Sequence, residues 1–175
     1  APDPVANSST LTYRANLSAV RATTPPSAAN GGSAGATAIT VVDSGTTFSD
    51  GDKIVIYHPS FEDSELNTVD GTPSSTSIPL GSALANTYSY GTNSNFVTIN
   101  KYNEIVIDLS GTNIRKTVDG GTPTPLISDV SSLAFDFFGE TETSQVKAIG
   151  IEITLQDSTD TSITESFSTG VTLRN

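Results

Sequence analysis

The most regular alternation of apolar and polar positions runs from Val130 to Asn175. Leu133, Phe135 and Phe137 alternate with smaller or polar residues, and Ile149, Ile151, Ile153 and Leu155 alternate with Gly150, Glu152, Thr154 and Gln156. Ile163, Phe167, Val171 and Leu173 then share one parity, with Thr164, Ser166, Ser168 and Thr172 on the other. Successive side chains of a strand point to opposite faces, so this period predicts strands with one buried and one wet face. The polar break Asp157–Thr161 predicts a hairpin between 145–156 and 162–174. Ile149, Ile151, Ile153, Phe167 and Val171 are expected to be buried, because they share the apolar parity of their strands. Three antiparallel strands with a common apolar face form the expected platform.

Upstream, Leu11, Tyr13, Ala15 and Leu17 alternate in a first strand, and the Pro/Gly/Ala/Ser tract from Arg21 to Ala36 reads as a loop or linker. Further strands are expected at Thr37–Asp43, Lys53–Tyr57, Thr76–Leu80, Phe96–Ile99 and Glu104–Leu109, with Pro79 marking an edge. Phe48 is placed in a core, Asp50-Gly51 and Asp119-Gly120-Gly121 in turns, and the acidic stretch Phe61–Gly71 in a loop. Ala83–Tyr90 reads as one helical turn, and Ser110-Gly111 turns the chain into Asn113–Val118. The tract Thr122–Asp129 leads into the C-terminal platform without a strand of its own. No apolar period of 3.6 is sustained over three turns, so the fold class is mainly β with antiparallel sheets. The expected organisation is a single β-rich domain, 1–175, with an inserted β subdomain at about 37–100.

Composition narrows the function classes. The net charge is −11, and Lys and Arg number only eight, which excludes a basic nucleic-acid patch and direct attraction to an anionic membrane. With no cysteine there is neither a disulfide framework nor a thiolate metal site. No apolar run of spanning length occurs.

Candidate chemistry is sparse. His58 is the lone histidine; it lacks a nucleophile motif and a second imidazole, and its setting between Tyr57 and Pro59 suits an exposed turn. Two carboxylate groupings, Glu62/Asp63/Glu65 and Asp43/Asp50/Asp52, offer hard oxygen ligands but do not match the spaced loop that holds calcium. In so acidic a chain they read as solvated loops. Sequons at Asn7 and Asn16 are frequent by chance in Ser/Thr-rich sequence. No catalytic, cofactor-binding or metal-ligating residue is therefore assigned, no cofactor is expected, and the reading is a protein that is not an enzyme.

Several segments resemble type IV pilin-like proteins, of the minor-pilin and pseudopilin kind. They are Ile114-Arg115 after a strand, Val130 to Phe137, Ala148 to Leu155 and the ending Val171 to Asn175, joined by Thr10–Asn16 near the start. Phe48-Ser49-Asp50-Gly51-Asp52-Lys53-Ile54 is similar to a β insertion of larger members. The resemblance implies a structural subunit of an extracellular filament at the cell surface, held at the periplasmic side of the inner membrane before assembly. Adhesion, motility or DNA uptake would follow downstream. Its partners would be other pilin subunits. Such proteins open on an apolar helix that anchors the subunit and then builds the filament core. This stretch carries none, so the helix is expected either upstream or on a separate short chain, and contact with the membrane only through it. The alternative class is a carbohydrate- or surface-binding β module of an adhesin or phage fibre, with Tyr88, Tyr90 and Tyr102 lining a shallow groove.

Overall fold

The structure is a computed structural model that describes residues 9–25, 31–42, 44–58, 63–88, 97–140 and 146–173. It is mainly β, and its strand pairings are antiparallel. In chain order the strands are β1 (Thr10–Ala15), β2 (Arg21–Thr23), β3 (Ala38–Thr40), β4 (Lys53–His58), β5 (Asp63–Thr68), β6 (Ser77–Pro79), β7 (Thr98–Lys101), β8 (Asn103–Ser110), β9 (Asn113–Val118), β10 (Thr124–Ile127), β11 (Val130–Asp136), β12 (Ala148–Gln156) and β13 (Thr164–Thr172). A single 3-10 turn, Gly45–Thr47, is the only helical element among the described residues.

The chain divides into two compact units, one formed by 16–103 and the other by 1–15 with 104–175. The first begins earlier than an insertion at 37–100 because β2 is hydrogen-bonded to β7, with Ala22 opposite Ile99. Its flanking strands β1 and β8 are neighbours in one sheet, so the chain leaves and re-enters the second unit at adjacent positions.

In the unit 16–103, a sheet in the order β2-β7-β4-β5 and the pair β3-β6 enclose a core of Ile39, Val41, Phe48, Ile54, Ile56, Ile78 and Ile99. The acidic stretch after Phe61 is not a loop: residues 63–68 pair along the whole of β4. The reason is an inverted pattern. Leu66 points outward, while Asn67 and Glu65 point inward, where they take the polar backbone of the next loop. Asn67 donates to the Ser82 carbonyl at 2.9 Å and accepts from the Ser82 N–H at 3.1 Å. Glu65 accepts from the N–H groups of Ala85 and Asn86. Residues 83–88 carry no helical turn, because those N–H groups are held by Glu65 and the Leu84 N–H by the Ala36 carbonyl. Positions 89–90 lie outside the described residues.

In the other unit, a sheet in the order β1-β8-β9-β10 and a sheet in the order β11-β12-β13 share one core of Leu11, Ile114, Val130, Leu133, Phe135, Phe137, Val146 and Ile149. The tract expected to be a connector contains β10, which pairs with β9 across a register shift near Pro125. Asp108 and Arg115 face each other across β8 and β9 and form a two-pronged ion pair, at 3.0 and 2.7 Å. The hydrogen bond that Arg115 donates to Asp108 is the main cause that raises the Arg115 pKa, against a smaller opposing effect of desolvation.

The C-terminal hairpin forms as expected, with Ile149 opposite Val171 and Ile153 opposite Phe167 in an uninterrupted register. Burial departs from expectation. Ile149 is buried and Ile151 and Ile153 are half-buried, but Phe167 and Val171 are 49% and 48% exposed. Parity sets which face a side chain joins; it does not set whether anything covers that face. Here core packing reaches β11 and part of β12 and stops short of β13, whose residues are all exposed.

Candidate interaction face of the C-terminal sheet

Among the described residues, the side chains singled out for chemistry are taken up by strands and turns. His58 is not at an exposed turn: it is 2% exposed, at the end of β4. Tyr57 lies opposite Thr98, and the Thr24 N–H donates to the Val97 carbonyl at 3.1 Å. One register step therefore puts Thr24, Val97 and His58 in a row across β2, β7 and β4, all buried on the core face. Asp52 accepts from the Ser49 N–H at 2.9 Å and pairs with Lys101 at 2.6 Å, and Asp50 accepts from the Gly71 N–H at 2.8 Å. These carboxylates fix the turn at Gly51. Asp43, Glu62, Tyr90 and Asn7 lie outside the described residues. Asn16 donates its side-chain amide to the Val20 carbonyl at 2.8 Å. Among the described residues no group of three or more His, Asp or Glu side chains is placed to hold a metal ion. Tyr88 is buried in the core, so it lines no shallow groove; Tyr102 is half-buried.

The feature that stands apart is the sheet β11-β12-β13. Antiparallel partners share a face, so Leu133–Ile153–Phe167 and Phe135–Ile151–Thr169 form rows on the core side. Along each row burial falls from β11 to β13: Leu133 and Phe135 are enclosed, their β12 partners are half-buried, and Phe167 and Thr169 are exposed. The apolar face thus continues past the core into solvent through Ile153, Phe167 and Val171. The opposite face carries Glu152, Thr154 and Gln156 of β12 and only small side chains of β13, with the Thr154 and Ser166 hydroxyls 3.1 Å apart.

Two local devices hold this sheet. At the hairpin, Asp157 accepts from the Thr159 hydroxyl and from the N–H groups of Thr159 and Asp160, and Asp160 accepts from the Ser162 hydroxyl and N–H. These bonds hold both carboxyls below the usual aspartate range, the hydroxyl bond being the largest cause in each. After β11, Phe138 adopts a left-handed conformation (φ 54°), with its N–H given to the Asp136 carboxylate at 2.7 Å. Its ring is 62% exposed and lies over Gly150, where an added Cβ would sit 3.4 Å from the ring tip. A bulky residue in that conformation is strained, and the Asp136 bond helps to retain it. No sequence signal marked Phe138; the adjacent Gly139 marks only a turn.

Compared with protein-family models, with curated proteins and with solved structures, the chain finds no match in any of the three.

Proposed function

We propose that this chain is the globular β domain of a structural subunit in an extracellular filament of the type IV pilus or pseudopilus kind, acting by subunit packing rather than by chemistry. An apolar helix, in cis or from a separate chain, would lie along the core-side face of β12 and β13. One observation carries this reading: the apolar face continues uncovered to Phe167 and Val171, on a strand with all nine residues exposed. A monomer gains little from that arrangement, whereas a helix laid across it extends the existing core. Burying the exposed half of Phe167 and Val171 stabilises by about 1 kcal/mol each. The low count of Lys and Arg supports protein partners over nucleic acid.

The test is to fuse or co-express an apolar pilin helix of about 20 residues and follow amide exchange with light scattering. The expected result is slower exchange at Ile151, Ile153 and Phe167 to Thr172, together with larger assemblies. Unchanged exchange and size on adding the helix, or filaments built by the bare chain, overturn the reading.

A further inference from the structure

The outer edge of β13 supports an inference that does not depend on the filament reading. Free strand edges invite pairing with another chain, and proteins block them with short length, proline, bulges or charge. This chain uses those devices on its other edges. β2, β3 and β6 are three residues long, and β6 ends in Pro79. β10 carries Pro125 and a register shift, and β11 shifts register between Val130 and Ser132. β1 bears the exposed Arg14, and β5 carries the inward Glu65, with its Thr68 carbonyl taken by Gly81. β13 has nine residues, unbroken register, no proline and one charged residue, Glu165.

The direction of its backbone is set by two bonds. The Leu173 N–H donates to the Lys147 carbonyl at 2.7 Å, and the Ile163 carbonyl accepts from the Asp157 N–H at 3.0 Å. Odd-numbered residues therefore turn their backbone groups toward β12. Thr164, Ser166, Ser168, Gly170 and Thr172 turn theirs outward. Their side chains are all small, so a second backbone can approach.

We propose that β13 pairs antiparallel with β13 of a second copy of this chain, joining two three-stranded sheets into one continuous sheet. Matching apolar residues selects the register: Phe167 lies opposite the partner's Val171, and Ser168 opposite the partner's Gly170. Thr169 then faces the partner's Thr169 on the symmetry axis. Glu165 falls opposite the partner's Leu173, so the two acidic side chains are not opposed. Each copy carries −11, so the two repel as they approach. The dimer is accordingly weak, concentration-dependent and strengthened by salt.

The chain has no cysteine, which makes Thr169→Cys a clean probe. In this register the two thiols occupy a non-hydrogen-bonded pair, with Cα atoms about 4.5 Å apart, within disulfide range. Under mild oxidation of the full chain, Thr169→Cys is expected to form covalent dimer at least about tenfold faster than Thr124→Cys on the blocked edge β10, and faster still at high salt. Adding Ser168→Pro removes an outward N–H without costing a bond to β12. It should return crosslinking to the control rate while circular dichroism and β12 amide protection stay unchanged. Equal rates for the two cysteines, or crosslinking untouched by Ser168→Pro, overturn the proposal. Neither readout uses the helix fusion, so a failure here leaves the filament reading standing, and the reverse.

Discussion

Phe135 and Phe167 are chemically identical, lie on the same face of the same sheet, and differ in cover: 2% against 49% exposed. Truncating Phe135 to Ala removes a fully buried ring and leaves a cavity in the core beside its register partner Ile151, for an expected loss of about 3–5 kcal/mol. Truncating Phe167 removes only half of that burial, about 1–1.5 kcal/mol, and leaves no cavity because the site is open to water. The expected ratio is about three to one. Urea unfolding followed by amide-resolved NMR reads the residues outside 16–103 separately, which matters because a chain of two compact units need not unfold in one step. Light scattering on the same samples reports self-association. Equal losses for Phe135→Ala and Phe167→Ala in a monomeric sample would refute the idea that core packing ends before β13.

Other substitutions probe separate links. Gly45→Ala would drive a Cβ into the Ser74 carbonyl oxygen, whereas a Cβ on Gly170 meets nothing closer than the Ile149 carbonyl at 3.8 Å. The first should destabilise the unit 16–103 by about 2–3 kcal/mol, and the second should raise stability by about 0.5 kcal/mol, both read by urea midpoints. Glu65→Ala should cost about 1–2 kcal/mol and accelerate amide exchange at Ala85 and Asn86, whose N–H groups it holds. Asp157 and Asp160 have folded pKa values below the ordinary aspartate value, so their contribution to the hairpin is full above that value. It is lost as pH falls through the folded values. An NMR titration should show both carboxyls titrating below the ordinary aspartate value, and Asp157→Asn together with Asp160→Asn should flatten the acid limb of hairpin stability.

Strand periods were legible wherever polar and apolar positions alternate with the apolar ones on the core-side face, covered as in β11 or uncovered as in β13. β5 was illegible for the opposite reason: its inward positions are Glu65 and Asn67, which satisfy loop backbone rather than fill a core. β10 hid behind Pro123 and Pro125, which an edge strand tolerates. His58 looked exposed from its neighbours along the chain, yet its row is set by the register of β2, β7 and β4, which no local window contains. The uncovered apolar face was legible as a face and illegible as uncovered, because cover depends on how far the second sheet extends. The open edge of β13 became visible only when its unbroken register was set beside the bulges and prolines of the other edges.

The adjacency of β1 and β8 has a consequence for synthesis. The unit 16–103 is continuous in the chain, so it can fold on the ribosome as soon as its last residues emerge. β1 leaves first but must wait for β8, a delay of roughly 5–20 s at ordinary elongation rates, and its sheet-on-sheet core waits longer still for β11 and β12. Throughout that interval Leu11 and Tyr13 travel without their partners. The early-folding unit holds residues 16 and 103 together within one compact body, which shortens the loop that β1 must close when β8 arrives. Order of emergence thus turns the inserted unit into a clamp that prepares the nascent chain for its least local strand pairing.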